Sequence, residues 1–114
     1  MSSTLSRGSI VWVDFDPTRG REQQGSRPAL VVSSEDYLDS VRGLVIVVPI
    51  TSVDRGWPHH VAVEGERAHR RKRSFAMTEQ PRTITIERIA RRAGVADEAT
   101  MAMVDGWLRD FIGL

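Results

Sequence analysis

Short apolar runs rich in β-branched residues occupy much of the first half of the chain. Three of them read SIVWVDF at 9–15, ALVVS at 29–33 and LVIVVPI at 44–50, and each is bounded by proline, glycine or polar residues. Runs of this length are short for helices but suit buried strands, particularly when β-branched residues dominate. The sequence therefore predicts a sheet built from several short strands.

The prolines help to place these strands in the sheet. Proline is tolerated at the start of a strand, at an edge or at a bulge. We therefore expect Pro28 to begin the second strand and Pro49 to lie near the end of the third, so that Thr51 stands where that strand leaves the core. Further short strands are predicted at 60–63, 74–77 and 93–95, and a short helix capped by Ser34 is predicted before Gly43.

The last eighteen residues carry the one long helical pattern. Asp97 can cap this helix and Glu98 favours its first turn. Gly106 costs about 1 kcal/mol relative to alanine inside a helix, which predicts a packing reason such as the close approach of a neighbouring element. An apolar face, expected to be core or subunit contact, is formed by Met101, Val104, Leu108 and Phe111, and is widened by Trp107 and Ile112. The fold class is therefore mainly β with a C-terminal helix.

Length and composition set limits on the class of protein. A chain of 114 residues is the size of one domain, so we expect a single domain over 1–114 with 1–6 flexible. No apolar run approaches the ~20 residues of a membrane span, and the N-terminus lacks the apolar centre of a signal peptide. The absence of cysteine excludes disulfides and thiolate nucleophiles. We expect a cytoplasmic protein without a membrane partner.

Charge is distributed unevenly, although the net charge is only +1. The segment RAHRRKR at 67–73 is strongly basic, whereas the last eighteen residues hold four carboxylates against one arginine. Such a segment is usually a solvated loop, but beside Trp57 and two histidines it can steer a polyanion.

Three positions carry side chains suited to a polar site. Arg27 follows a polar, glycine-bearing loop and precedes an apolar strand, so a permanently charged fork stands at the mouth of a rigid element. Thr51 offers a hydroxyl that can donate to a phosphate oxygen or a nucleophile. The run Glu79–Thr83, EQPRT, concentrates carboxylate, amide and guanidinium groups after a strand.

The histidines do not predict a metal site. His59 and His60 are adjacent, and neighbouring strand residues point to opposite faces of a sheet. No HExxH helix accompanies them, and the motifs GxxxxGK[ST], GxSxG and GxGxxG are absent. We therefore expect no metal ligands, and His59 is interpreted as a residue that contacts ligand.

An ordered set of motifs carries a family resemblance. RGSIVWVDFDPTRGREQQGSRPALVVSS, VVPITS, WPHHV and TEQPRTI occur in this order and spacing, and together they resemble the MazF/PemK (Kid) toxin family over nearly the whole chain. The resemblance implies an SH3-like barrel of the CcdB/PemK type and a homodimer. It also implies sequence-specific cleavage of single-stranded RNA, without metal or other cofactor, to 2′,3′-cyclic phosphate and 5′-hydroxyl ends.

The resemblance also assigns roles to individual residues. Arg27 and Thr51 match the catalytic pair, and the proton acceptor is either Arg27 or Glu22, because arginine holds its proton tightly. RNA-binding roles fall to Glu22, Gln24, His59, Glu79, Gln80 and Arg82. Gln24, Arg21 and Pro81 depart from residues common in the family, which leaves the cleavage motif open.

The family resemblance also implies a protein partner. A cognate antitoxin with a disordered acidic tail would cover the RNA groove, and its carboxylates would meet the basic residues 70–73. Two alternatives stay open from the residues. A CcdB-like toxin that binds gyrase needs no arginine-threonine pair, and a non-catalytic SH3-like module would bind RNA without cleaving it.

Overall fold

Strands account for most of the secondary structure in the computed structural model, which describes residues 5–15, 26–67 and 72–114. Residues 1–4 of the segment expected to be flexible lie outside this description. The elements in chain order are β1 (Ser9–Asp14), β2 (Ser26–Val31), α1 (Glu35–Ser40), β3 (Leu44–Thr51), β4 (His60–Ala62), β5 (Gly65–Glu66), β6 (Phe75–Met77), β7 (Arg82–Thr85), a 3₁₀ turn (Ile86–Arg88), β8 (Ile89–Ala96) and α2 (Glu98–Ile112).

The strands form one curled antiparallel sheet in the order β4-β6-β3-β2-β1-β8-β5, with β7 also paired to β3. Strand β3 is its centre. It pairs with β2 through Ala29↔Pro49, Leu30↔Val48 and Val31↔Val47, and with β7 and then β6 through other residues. The expected fold, mainly β with a C-terminal helix, is confirmed by this arrangement.

The side chains of β3 point alternately into two buried clusters, which explains why its sequence is almost entirely apolar. Val45 and Val47 belong to one buried cluster, whereas Val48 and Ile50 belong to a second cluster that also contains residues of α2. Successive side chains of a strand point to opposite faces, so both faces of β3 are covered. All four residues are at most 8% exposed. A strand buried on both faces loses the polar positions that a half-exposed strand would show.

Helix α2 is held at both ends by the interactions expected for its sequence. The Asp97 carboxylate accepts a 2.9 Å hydrogen bond from the Thr100 N–H, and Gly113 adopts a left-handed φ of 78° at the C-terminus. Arg7 donates from Nη1 to Asp105 Oδ1 at 3.0 Å and to the Val32 carbonyl at 3.3 Å. Together with the second Arg7–Asp105 contact, from Nη2 to Oδ2, these bonds tie the helix to the sheet.

The apolar face of α2 is only partly covered. Met101 and Val104 are buried, but Phe111 is 48% exposed and Ile112 is 65% exposed. Gly106 also corrects an expectation, because a Cβ built there would have nothing within 4 Å. The prediction that a neighbouring element packs closely against Gly106 is therefore wrong within the described part of the chain.

Several strand boundaries differ from the sequence prediction. Strand β2 begins at Ser26 rather than at Pro28, and Pro28 pairs with Trp12 of β1 while the β2–β3 pairing begins one residue later. Proline is accommodated because its missing N–H is not required by β3 at that point. The sequence did not predict β5 or β7, and β8 is longer than the predicted run 93–95. These exposed strands were not predicted in full because their sequences are polar or rich in arginine and show little apolar alternation.

Among the described residues, no helix combines the length and the apolar character needed to span a membrane.

Candidate functional site

Antiparallel pairing of β2 with β3 brings Arg27 and Thr51 to the same end of the two strands. The β2–β3 register runs from Val31↔Val47 to Ala29↔Pro49, and Arg27 and Thr51 each lie two residues beyond its last pair. Thr51 is the last residue of β3 and is half-buried, whereas Arg27 is exposed near the start of β2. The central strands therefore end with a guanidinium and a hydroxyl at one edge of the core.

The Thr51 hydroxyl is already oriented by the backbone that follows it. Its oxygen accepts a 3.1 Å hydrogen bond from the Val53 N–H. Because a hydroxyl has one proton to donate and lone pairs to accept with, this contact leaves its O–H proton available to another acceptor. An anionic oxygen bound at the end of β3, beside Thr51, would be such an acceptor.

A bulge beside β3 carries Glu79 and Gln80. Between the pairs Val47↔Arg82 and Ile50↔Ala76, β3 advances by three residues whereas its partner advances by six. The extra residues loop out of the ladder, which is how polar side chains are presented next to a buried strand. Gln80 Nε2 donates to Glu79 Oε2 at 3.1 Å, so these two predicted RNA-binding residues lie together.

Glu79 joins both histidines in what we call the histidine-glutamate cluster (His59, His60 and Glu79). Glu79 Oε2 lies 3.1 Å from His60 Nε2, and Oε1 lies 3.6 Å from His59 Nε2. Burial alone would raise the pKa of Glu79, but hydrogen bonds from His60, from its own backbone N–H and from Gln80 outweigh it and hold the pKa below its usual value. Glu79 is therefore an anion at neutral pH.

The cluster corrects the expectation that the two histidines diverge. His59 precedes strand β4, which begins at His60, so strand alternation does not govern its direction. The His59 carbonyl accepts hydrogen bonds from the Thr78 hydroxyl at 2.7 Å and from the Thr78 N–H at 3.4 Å. This clamp joins the loop before β4 to the bulge after β6, and both imidazoles face one carboxylate.

Aromatic rings surround the cluster, and their convergence on the histidines was not predicted from the sequence. Trp57 stacks on His59 with ring centroids 5.5 Å apart and meets the edge of His60 at 4.8 Å. From α2, Trp107 and Phe111 contact His59 at 6.0 and 5.7 Å. The WPHH spacing was the one available signal for Trp57, whereas the contribution of α2 depends on tertiary packing.

The Arg82 side chain contacts Phe15 rather than the histidine-glutamate cluster. Its guanidinium carbon stands 4.7 Å from the centroid of the Phe15 ring, at the end of β1. Of the remaining predicted site residues, Glu22 and Gln24 lie outside the described residues. The described part of the candidate site thus consists of the Arg27–Thr51 pair, the histidine-glutamate cluster with Gln80, and Arg82 over Phe15.

Comparison with known proteins identifies the family. The family described as PemK-like, MazF-like toxin of type II toxin-antitoxin system matches residues 6–112. The Mycobacterium tuberculosis protein named Endoribonuclease MazF9 is 34% identical over 110 residues, covering 92% of this chain and 93% of that protein. The Escherichia coli K12 protein named Endoribonuclease toxin MazF is 44% identical over 59 residues, and the match spans about half of each chain, 52% in both.

Solved structures agree with this assignment. The MazF chain in the crystal structure of MazE-MazF (Form-II) from Deinococcus radiodurans superposes with a TM-score of 0.80 at 29% identity, covering 99% of both chains. The curled sheet with its C-terminal helix therefore has the CcdB/PemK-like fold. Because the family profile covers nearly all of the sequence, this chain belongs to the PemK-like, MazF-like toxin family of type II toxin-antitoxin systems.

Proposed function

We propose that this chain is the toxin of a type II toxin-antitoxin system and acts as an endoribonuclease. It cleaves single-stranded RNA sequence-specifically, without metal or another cofactor, to 2′,3′-cyclic phosphate and 5′-hydroxyl ends, and so inhibits translation and growth. In this proposal residues 1–114 form a single domain that works as a homodimer in the cytoplasm, where its substrate is found. The family names MazF and PemK, attached to endoribonucleases, favour this activity over gyrase binding.

The observation that carries the proposal is the antiparallel pairing of β2 with β3, because Arg27 near the start of β2 and Thr51 at the end of β3 lie at the same end of this pair. A guanidinium offers several N–H donors in a planar fork that matches two phosphate oxygens, and charge-assisted bonds of this kind are stronger than neutral ones. The support comes from a rigid, buried strand pair that presents both groups. Sites on such elements hold their geometry better than sites on loops.

The chemistry follows from what these two groups can do. The ribose 2′-oxygen attacks the adjacent phosphorus, the new O–P bond closes the cyclic phosphate, and the bond to the 5′-oxygen of the next nucleotide breaks. Negative charge grows on the non-bridging oxygens, and Arg27 stabilises it more in the transition state than in the ground state. The Thr51 hydroxyl donates a hydrogen bond to the same phosphate or orients the 2′-hydroxyl.

Two proton transfers complete the reaction. The 2′-hydroxyl proton passes to Arg27 or to Glu22, the departing 5′-oxygen takes a proton from water to become the 5′-hydroxyl, and the acceptor then returns its proton to the hydroxide so formed. A carboxylate accepts a proton far more readily than a guanidinium, which holds its own proton tightly, and this favours Glu22 on chemical grounds.

The remaining predicted site residues are proposed to hold the RNA strand. His59, Glu79 and Gln80 offer hydrogen-bonding groups beside Trp57, which is 47% exposed and presents aromatic surface to a base. Arg82 supplies a further cation, and Glu22 and Gln24 complete the predicted RNA-binding set.

The partners of this chain are proposed from the same family. The Deinococcus radiodurans relative was crystallised as MazE-MazF. We expect a cognate antitoxin here whose acidic tail meets the basic residues 70–73 and blocks cleavage. Support for a homodimer comes from the apolar side chains that α2 and the C-terminus leave exposed, namely Met103, Phe111, Ile112 and Leu114.

The proposal is tested by RNA cleavage in EDTA. Purified wild type is incubated with a long single-stranded RNA beside Arg27→Ala and Thr51→Val, and the cut ends are mapped chemically. Arg42→Ala serves as the matched control, because Arg42 is also exposed but lies after α1.

We expect discrete cuts with cyclic-phosphate ends from wild type and the control, and much slower cleavage from both site variants. Absence of cleavage by folded, antitoxin-free protein on several RNAs would contradict the proposal. Cleavage that depends on added metal would contradict its mechanism.

A further inference from the structure

The histidine-glutamate cluster has the composition of a metal site. His59, His60 and Glu79 each offer one ligand atom, and these atoms all lie within 4.8 Å of one another. The closest pairs are His60 Nε2 with Glu79 Oε2 at 3.1 Å and His59 Nε2 with Glu79 Oε1 at 3.6 Å. Ligand atoms about 2.0–2.1 Å from a tetrahedral zinc ion lie roughly 3.4 Å apart. The two histidine–glutamate spacings lie on either side of this value, and the widest separation within the set, up to 4.8 Å, requires the side chains to close around the ion.

The fold holds the three donors in place rather than leaving them on free loops. The His60 side chain is only 2% exposed. His59 is clamped through its carbonyl by Thr78 and covered by the ring of Trp57. A site whose ligands are fixed by packing loses little conformational entropy when the ion binds. The side chains of His59 and Glu79, at 25% and 29% exposed, retain enough freedom to close around it.

The chemical types of the three donors favour zinc over other common metal ions. An imidazole that binds a metal through one nitrogen carries its proton on the other, and two such rings with a carboxylate form a donor set typical of zinc. Hard, oxygen-preferring ions such as Mg²⁺ and Ca²⁺ are poorly matched by two imidazoles.

We propose that His59, His60 and Glu79 bind Zn²⁺. Three protein ligands leave a fourth tetrahedral position open to water or to an anion. The ion joins the loop before β4 to the bulge between β6 and β7, which Thr78 already connects. His59 and Glu79 also belong to the proposed RNA-binding set, but Arg27 and Thr51 act without a metal and zinc binding is measured without RNA, so the two proposals are tested separately.

Zinc binding is tested by direct titration. Purified full-length protein is stripped of metal with a chelator, then titrated with Zn²⁺ against a chromogenic competitor, beside His59→Asn and Glu79→Gln. These two positions are chosen because their side chains are partly exposed, whereas substitution of buried His60 endangers folding. Glu87→Gln, an exposed glutamate in the 3₁₀ turn, is the matched control.

We expect one Zn²⁺ per chain in wild type and Glu87→Gln, and at least ~10-fold weaker binding in each cluster variant. Saturating Zn²⁺ should raise the Tm of wild type, because a ligand that binds only the folded state stabilises it by mass action. Co²⁺ in place of Zn²⁺ should give the visible absorption of a tetrahedral site, and this band should disappear in Glu79→Gln.

Two results would overturn the inference. One is the failure of folded wild type to compete with the chelator for Zn²⁺. The other is equal affinity in wild type and in both folded cluster variants, which would locate any bound ion elsewhere. Neither result bears on RNA cleavage in EDTA, so failure of the zinc site and failure of the proposed nuclease are distinguishable.

Discussion

The Arg27–Thr51 pair and the histidine-glutamate cluster are built in different ways. Antiparallel pairing of β2 with β3 brings Arg27 and Thr51 to one end of a sheet that is covered on both faces. The cluster instead depends on a loop, a bulge and the rings of α2. Residues of both regions can be named from sequence motifs, but the convergence of groups from irregular segments emerges only from tertiary packing.

The largest expected effect separates the two regions. Arg27→Ala should lower the rate of RNA cleavage about 10²–10³-fold, because it removes the charged donor to the developing oxyanion. It should leave Zn²⁺ affinity unchanged. Arg27→Lys keeps the charge but loses the planar fork, so it should restore only part of the rate. Single-turnover cleavage and zinc titration measure the two properties, and a parallel loss of both would show that the regions are not independent.

Thr51→Val should have a smaller effect on the same reaction. It removes one neutral hydroxyl donor and keeps the β-branched shape that suits the strand end, so cleavage should slow by about 10-fold, the worth of one such hydrogen bond. Thr51→Ser, which retains the hydroxyl, is the matched control and should cleave at nearly the wild-type rate. Equal rates for the valine and serine variants would remove Thr51 from the catalytic pair.

Arg82 offers a test outside both regions. Its guanidinium stands over the Phe15 ring, an arrangement worth about 0.5–1 kcal/mol at exposed sites. Arg82→Gln should therefore lower the free energy of unfolding by roughly that amount, and should also weaken RNA binding if the predicted contact is made. Denaturant unfolding measures the first effect and filter binding the second. Unchanged stability would argue against the stacking contact.

The smallest effect concerns the cap of the helix that supports the cluster. Hydrogen bonds from the Thr100 N–H and hydroxyl hold the pKa of Asp97 below its ordinary value of 3.8. A carboxylate with a lowered folded-state pKa stabilises the protein above the unfolded value and loses that contribution as pH falls through the folded one. Asp97→Ala should therefore lower Tm at neutral pH, and the difference from wild type should shrink below about pH 4.

The sequence predicted much of the fold because strong local signals agreed with the final packing. The runs that became β1 and β3, the Ser34 cap of α1 and the Asp97 cap of α2 were all expected where they occur. Strand β7 was missed because its residues RTIT bury only Ile84. An exposed strand carries little apolar periodicity, and its place is set by pairing with β3.

The candidate site was only partly accessible from sequence. Arg27 and Thr51 could be named from motifs, although their placement at one end of the β2–β3 pair depends on a strand pairing that no local pattern specifies. His59 and His60 were predicted to point to opposite faces, and this was wrong because strand alternation was applied to His59, which lies before the strand. Contacts from Trp107 and Phe111 required the helix to pack over the loop, and the roles of Glu22 and Gln24 stay predictions.

The most direct test of the account is a double-mutant cycle on the cleavage rate in EDTA, with Arg27→Ala, Thr51→Val and the double variant. Groups that act on one phosphate are coupled, so we predict that the double variant is scarcely slower than Arg27→Ala alone. Rate losses that multiply independently would contradict the pairing of these residues. Full activity in the double variant would contradict the proposed active site altogether.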